Sequence, residues 1–257
     1  MIRPVKHSIT ITLFAFFVAV APLSGQEESS AQGYSSSLTS SGPDSSSPGP
    51  FTASCSFPEE TPSPWSVGTD FCSSYIWRGS GQGNGPHIQP AIEYSRGSFT
   101  TGAWGTLDLH GYQEVDLWFG FDLSGGFTIG MQDYYLPGLR YFVYSEVEGS
   151  HAFEVNLDFA AENVWLSGNC VINEAGGIGS YGGDLYFEAG FSFDYFSIFM
   201  GAGNGWHTES GGFSVCNLGL KVSEEIPVTD RFSIPVTGHL IFNPDREQMF
   251  IVIGFAF

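Results

Sequence analysis

Glu114-Val115-Asp116-Leu117-Trp118-Phe119-Gly120-Phe121-Asp122-Leu123 places apolar side chains at every odd position and acids, Gly or Trp at the even ones. A strand turns successive side chains to opposite faces, so this stretch has one greasy side and one polar or small side. The pattern recurs. Phe153, Val155, Leu157 and Phe159 alternate with Glu154, Asn156 and Asp158. Leu185, Phe187, Ala189, Phe191 and Phe193 alternate with Asp184, Tyr186, Glu188, Gly190 and Ser192. At the end of the chain Met249, Ile251, Ile253, Phe255 and Phe257 share one face.

Extended outward, this period-two reading gives about twelve strands. They cover 65–78, 87–96, 98–109, 113–123, 126–135, 150–160, 163–172, 181–193, 195–204, 212–222, 230–241 and 247–257. The links between them largely alternate in length. Ser80–Pro86, Leu136–Gly149, Asn173–Ser180 and Gly205–Gly211 are long, whereas Gly97, Ser124-Gly125 and Asp194 mark short turns. Outer-membrane barrels have an even strand number, with tight turns at one end and longer loops at the other. The expected fold is therefore all-β, an antiparallel up-and-down transmembrane β-barrel over 65–257. A secreted β-sandwich would also alternate, but it needs two inner apolar faces and no rhythm in its loops.

Composition agrees with a lipid-facing sheet. Aromatics make up 16% of the chain and charged residues only 14%, with 34 Gly; soluble domains carry about 25% charged residues. Residues 1–25 read as a signal peptide, with basic Arg3 and Lys6 followed by the apolar run Ile9–Val20. That run is shorter than the ~20 residues a spanning helix needs. Residues 26–64 are rich in Ser, Pro and Gly and read as a disordered linker. Loss of Arg3 and Lys6 with the signal leaves six of the eight Lys and Arg against 27 acids. Nucleic acid is excluded as a partner of so acidic a surface, and cations are favoured.

With the apolar faces in lipid, Asp70, Glu93, Asp108, Glu114, Asp116, Asp122, Glu154, Asp158, Asp184 and Glu188 face the lumen, and Trp104, Trp118, Trp165 and Tyr186 narrow it. Arg78 and Arg231 are the basic candidates beside these pore-lining acids. Arg78 either sets a transverse field against the acids or pairs with one carboxylate and braces the barrel mouth. Twelve strands fall between the filled eight-strand barrel and the open channel of sixteen to eighteen, so the pore is expected to be narrow and partly obstructed. Passive diffusion of small, preferably cationic solutes is the leading expectation. A closed structural or adhesion barrel is the alternative. The Leu136–Gly149 loop, with Tyr141, Phe142 and Tyr144, is placed in the lumen as a constriction or in the interfacial aromatic girdle.

No G-x-S-x-G, P-loop or G-x-G-x-x-G is present, and the chain is not expected to be an enzyme. A lipid-hydrolysing barrel would need an outward Ser–His pair; Ser150-His151 and His207 near Ser210 are the nameable ones. No cofactor is called for. His87, His110, His151, His207 and His239 map to loops or strand ends at the long-loop side, but without HxxxH or HExxH spacing no metal is assigned. Cys55, Cys72, Cys170 and Cys216 allow three pairings, between which spacing does not choose.

Ser66-Val67-Gly68-Thr69-Asp70, Ser74-Tyr75-Ile76-Trp77-Arg78-Gly79, Ile88-Gln89-Pro90, Gly102-Ala103-Trp104-Gly105, Glu114-Val115-Asp116 and Asp133-Tyr134-Tyr135 together resemble the Gcw_chp-type conserved hypothetical outer-membrane proteins. The resemblance covers most of 65–257 and implies a porin-like barrel with no established substrate. Phe257, terminal on an alternating strand, is similar to the signal that outer-membrane proteins present to the barrel assembly machinery. The implied setting is the bacterial outer membrane, with its lipid as partner.

Overall fold

The structure, a computed structural model, describes residues 63–229 and 232–257. The expected signal peptide, the linker up to residue 62, Cys55 and Arg231 lie outside them.

Among the described residues the strands are β1 (Trp65–Cys72), β2 (Tyr75–Trp77), β3 (Ser80–Gln82), β4 (His87–Arg96), β5 (Phe99–Asp108), β6 (Gln113–Asp122), β7 (Phe127–Tyr135), β8 (His151–Ala161), β9 (Val164–Val171), β10 (Glu174–Ala175), β11 (Ser180–Tyr181), β12 (Asp184–Ser192), β13 (Ser197–Gly203), β14 (Ser214–Thr229), β15 (Phe232–Asn243) and β16 (Gln248–Ala256). Twelve of them close into one antiparallel barrel in the order β1-β16-β15-β14-β13-β12-β9-β8-β7-β6-β5-β4. Every wall pair is antiparallel, and neighbours in the ring are neighbours along the chain except where β1 meets β16. That seam is short, pairing Asp70 with Ala256, Phe71 with Phe255 and Cys72 with Gly254, with backbone bonds between Thr69 and Phe257 and from Ser73 to Ile253 at its ends.

The alternation drives this closure. Along β6, Glu114, Asp116, Trp118 and Gly120 are buried, while Val115, Leu117, Phe119 and Phe121 are exposed. Along β16, Val252, Gly254 and Ala256 point inward and Met249, Ile251, Ile253 and Phe255 outward. An outer belt of Val, Leu, Ile and Phe suits lipid. Closure also leaves no edge of unpaired backbone groups, which hydrocarbon could not satisfy.

The expected strand at 65–78 is corrected. The wall strand ends at Cys72, and Tyr75–Gln82 forms a separate hairpin, β2–β3, paired Tyr75 with Gln82, Ile76 with Gly81 and Trp77 with Ser80. Arg78 and Gly79 are its two loop residues, with φ of 47° and 83°. Positive φ at both central positions is the mark of the type I′ turn that fits hairpin twist. Three successive side chains, Tyr75, Ile76 and Trp77, are too apolar for a solvated loop, and the hairpin folds inside the barrel.

Of the two places expected for the Leu136–Gly149 loop, the lumen is the one it does not take. Tyr141 and Tyr144 pack on His151, at ring-centroid distances of 4.7 and 4.9 Å. His151 in turn pairs with Asp133 at 2.9 Å. Asp133 and His151 share the parity of the outward side chains of β7 and β8, so the loop covers the outer face and leaves the lumen clear. The physical reason is the Asp133–His151 pair itself, a polar island on a greasy wall that needs a cover.

Candidate functional site

The hairpin crosses the lumen near the long-loop end. Ile76 packs with Ile241 and Val252, against the β15–β16 wall. Tyr75 lies against His87, Trp104 and Tyr112 at 5.7, 5.4 and 6.4 Å, on the β4–β5 side. Trp77 reaches Tyr134, Trp206 and His207 at 5.6, 5.1 and 5.1 Å. At the tip, a β-bulge in β14 opposite Gly201 and Ala202 leaves both Cys216 and Asn217 buried. The backbone of Gly79 sits so tightly in it that a Cβ there would stand 1.9 Å from the Cys216 carbonyl oxygen. Asn243 Nδ2 donates to the Gly79 carbonyl at 3.0 Å.

Arg78 is the centre of the arrangement. Its Nη1 and Nη2 donate to Glu154 Oε2 and Oε1 at 2.6 and 2.8 Å. Its guanidinium carbon lies 4.8 Å from the Trp77 ring centre and 4.5 Å from that of Tyr186. Glu154, fully buried, also accepts from Tyr134 Oη at 3.0 Å and Asn156 Nδ2 at 2.7 Å. A buried charge pair needs this saturation, because unsatisfied lone pairs would leave the desolvation cost uncompensated.

His207 completes the shell. Arg78 Nη1 and Trp206 Nε1 approach its Nε2 at 3.4 and 3.0 Å. Both are donors only, so Nε2 accepts and the ring is neutral, with its proton on Nδ1. Burial first, and the Arg78 charge second, hold the His207 imidazole well below its ordinary pKa.

The sequence-predicted acids divide by what holds them. Asp108 accepts backbone N–H bonds from Asn84, His110 and Tyr112 at 2.7–2.8 Å, and so ties loops at the long-loop end. Asp184 does the same for Tyr181, Gly182 and Trp206. Glu114 accepts from Tyr112 Oη at 2.7 Å, and Asp116 from Gln132 Nε2 at 2.7 Å. Glu188 is held by Tyr186 Oη, Asn217 Nδ2 and Trp165 Nε1. Glu93 is half-buried on the inner side of β4. Asp122 keeps the inner parity of β6 but stands exposed at the end of the strand, bonded by Thr128.

Asp70 and Asp158 line a cavity of about 590 Å³ between the hairpin and the short-turn end. Tyr75 and Ile76 form its floor, Trp104 and Trp165 line its side, and Glu162, Asn163 and Asp194 stand among the turns at its mouth. Several acceptors facing the lumen have no partner: Asp70 Oδ1, Asp116 Oδ1, Gln132 Oε1, Asn156 Oδ1, Asp158 Oδ2 and Asn217 Oδ1. The interior therefore carries surplus acceptors. Sequence reasoning missed the roles of Asn156, Asn217, Asn243, Tyr134 and Ile76, since their partners lie on other strands or on the hairpin and alternation reveals only which face a residue takes.

His87 and His151 stand at strand ends and His110 and His207 in loops on the long-loop side, as expected, whereas His239 lies within a strand. His87, His151 and His207 are buried, and His239 sits in β15 on the cavity wall, paired in register with Lys221. Among the described residues no group of three or more His, Cys, Asp or Glu is placed to hold a metal. Cys72, Cys170 and Cys216 are free thiols. Ser150 Oγ donates to the Arg140 and Val143 carbonyls, and His151 Nε2 faces the Tyr141 carbonyl, so this pair is engaged away from each other.

No family model and no curated protein matches the chain. The Gcw_chp resemblance therefore rests on the residues quoted above. Among solved structures the chain is similar to a triple mutant of the Rhodopseudomonas blastica porin, at 9% identity and a TM-score of 0.38. A structure titled "Asymmetric conductivity of engineered proteins" is similar at 8% identity and a TM-score of 0.37. Each match covers 66% of this chain and 55% of the other, so the chain spans little over half the length of those proteins. The barrel assignment rests on the closed twelve-strand ring itself.

Proposed function

We propose that the chain is a porin-type barrel of the bacterial outer membrane that passes only small, preferentially cationic solutes, with the β2–β3 hairpin as its constriction. The observation that carries this reading is the Arg78–Glu154 pair, which bridges the hairpin turn and the opposite wall inside a lumen otherwise rich in carboxylates. The unpartnered acceptors on β6, β7 and β8 supply oxygens to which a hydrated cation binds and from which it leaves. In this reading the C-terminal strand and Phe257 address the chain to the barrel assembly machinery, and the outer belt contacts membrane lipid.

Planar-bilayer recording of the purified, heat-modifiable barrel tests it. Low conductance with cation preference is expected, rising when Tyr75–Gln82 is replaced by a short Gly-Ser link. Anion preference overturns the reading. So does silence from both the parent and the hairpin-replaced barrel. A second reading, a barrel closed at rest, is favoured by the dense packing of Arg78, Tyr134 and Asn156 around the fully buried Glu154. A silent parent with a conducting replacement selects it.

A further inference from the structure

We propose that the cavity beneath the hairpin is a binding site for a small organic ammonium ion with an apolar body, entered from the short-turn end. Its volume, about 590 Å³, lies within the ~300–1,000 Å³ of small-molecule sites. One end is closed by Tyr75 and Ile76, so a solute arriving from the short turns meets a floor.

The chemistry of the wall selects the ligand. Asn217 is fully buried, and its Nδ2 donates to Tyr186 Oη at 2.9 Å and to Glu188 Oε2 at 3.1 Å. Those bonds fix the amide, because only its NH₂ end fits a carboxylate, and they turn Oδ1 to a position without a partner. Leaving a buried acceptor unmet is costly, and a ligand donor would relieve it. Asp158 lies within electrostatic reach of Glu188 on the same side and presents a second unmet oxygen, Oδ2. Trp165 lines the cavity beside them, with its Nε1 toward Glu188 Oε1 at 3.4 Å, and offers a ring face to a cation. Ile241, Val252 and Trp104 supply the apolar remainder. Lys221 lies within electrostatic reach of Asp70, whereas on the other side three carboxylates, Glu154, Asp158 and Glu188, share the single guanidinium of Arg78, which is already paired with Glu154. An anion would meet the carboxylates of Asp70, Asp158 and Glu188, and a bare metal ion leaves the apolar wall unused.

Isothermal titration of the full barrel in non-ionic detergent tests the assignment, with phenethylammonium as probe, phenethyl alcohol as its neutral counterpart and empty micelles as blank. Saturable one-to-one binding of the ammonium is expected, at least about tenfold tighter than the alcohol. Asp158→Asn, nearly isosteric, and Asn217→Leu are each expected to weaken it by about tenfold, the equivalent of one charge-assisted contact. Glu224→Gln, exposed on β14 away from the cavity, should leave it unchanged. Equal binding of ammonium and alcohol, no saturation, or full affinity in folded Asp158→Asn overturns the proposal. The inference stands on the cavity and does not require passage. Conductance is read separately on the same preparation, so a conducting barrel that fails to bind defeats this inference alone.

Discussion

Arg78, on the turn of the inserted hairpin, and Glu154, 76 residues later on the barrel wall, meet through two parallel N–H···O bonds inside the lumen. Removing one partner strands the other charge in a buried site. Arg78→Ala is expected to cost about 3–5 kcal/mol in urea unfolding of the vesicle-inserted barrel. Arg78→Lys should recover only part of this, since an ammonium cannot reproduce the bidentate fork. The double variant Arg78→Ala/Glu154→Gln is expected to lose less than the sum of its single changes. Strict additivity would mean that the pair contributes nothing as a pair.

Gly79 offers a cleaner probe of hairpin seating. It combines a φ of 83° with a backbone neighbour that a Cβ would overlap, the Cys216 carbonyl. Gly79→Ala is expected to unseat the tip, raise bilayer conductance and speed proteolysis within 73–86, while the wall still migrates as a folded, heat-modifiable barrel. Gly97 has a φ of 64° but no atom within 4 Å of a built Cβ. Gly97→Ala should therefore show only the left-handed cost of about 1 kcal/mol and an unchanged conductance.

His207 predicts a pH dependence with a definite sign. Its ring is held neutral in the folded state by burial and by Arg78, with Trp77, Tyr186 and Trp206 as its other neighbours. The unfolded chain protonates this imidazole as pH falls through 6.5, and the folded site resists. More protons bound in the unfolded state means stability is lost as pH falls below that value, by at most about 1.4 kcal/mol per unit. The parent-minus-variant difference in urea midpoint, with His207→Gln as the variant, should be flat above pH 7 and shrink from pH 6.5 to pH 5. A difference independent of pH would contradict the neutral ring.

Leu117 and Asp116 are adjacent in β6 and face opposite media. Leu117→Lys is expected to destabilise the inserted barrel by about 2–4 kcal/mol, the cost of a cation near the bilayer midplane. Asp116→Asn keeps the volume and the Gln132 contact, and is expected to alter ion selectivity far more than stability. Urea titration in vesicles and reversal-potential measurements separate the two.

Much of the architecture was legible because a lipid-facing sheet must alternate. The odd positions of Glu114–Leu123 and of Gln248–Phe257 fix the face, and the register follows from the short turns. β4 falls on the expected 87–96. The hairpin was not legible, because its residues obey a different rule. Tyr75, Ile76 and Trp77 are successive apolar residues, which a strand reading simply extends from Phe71. The break lies in Ser73-Ser74 and the turn in Arg78-Gly79, where Arg at positive φ gives little sequence warning. The surplus of acids inside was visible from Glu114, Asp116, Glu154 and Asp158. That Asp108 and Asp184 fasten loops was hidden, because their partners are backbone amides from segments with no pattern of their own.

The short seam between β1 and β16 has a mechanical consequence. Its ladder of three residue pairs, continued by backbone bonds between Thr69 and Phe257 and from Ser73 to Ile253, is shorter than the ladders at the other joints. The hairpin emerges directly from β1, and its Ile76 presses on Ile241 and Val252 across that joint, while Gly79 is tied to Asn243. The hairpin in the lumen thus doubles as an inner clasp on the shortest seam of the wall. A hairpin drawn out of the lumen would take that clasp with it, so whatever clears the interior also loosens the cylinder along its closing line.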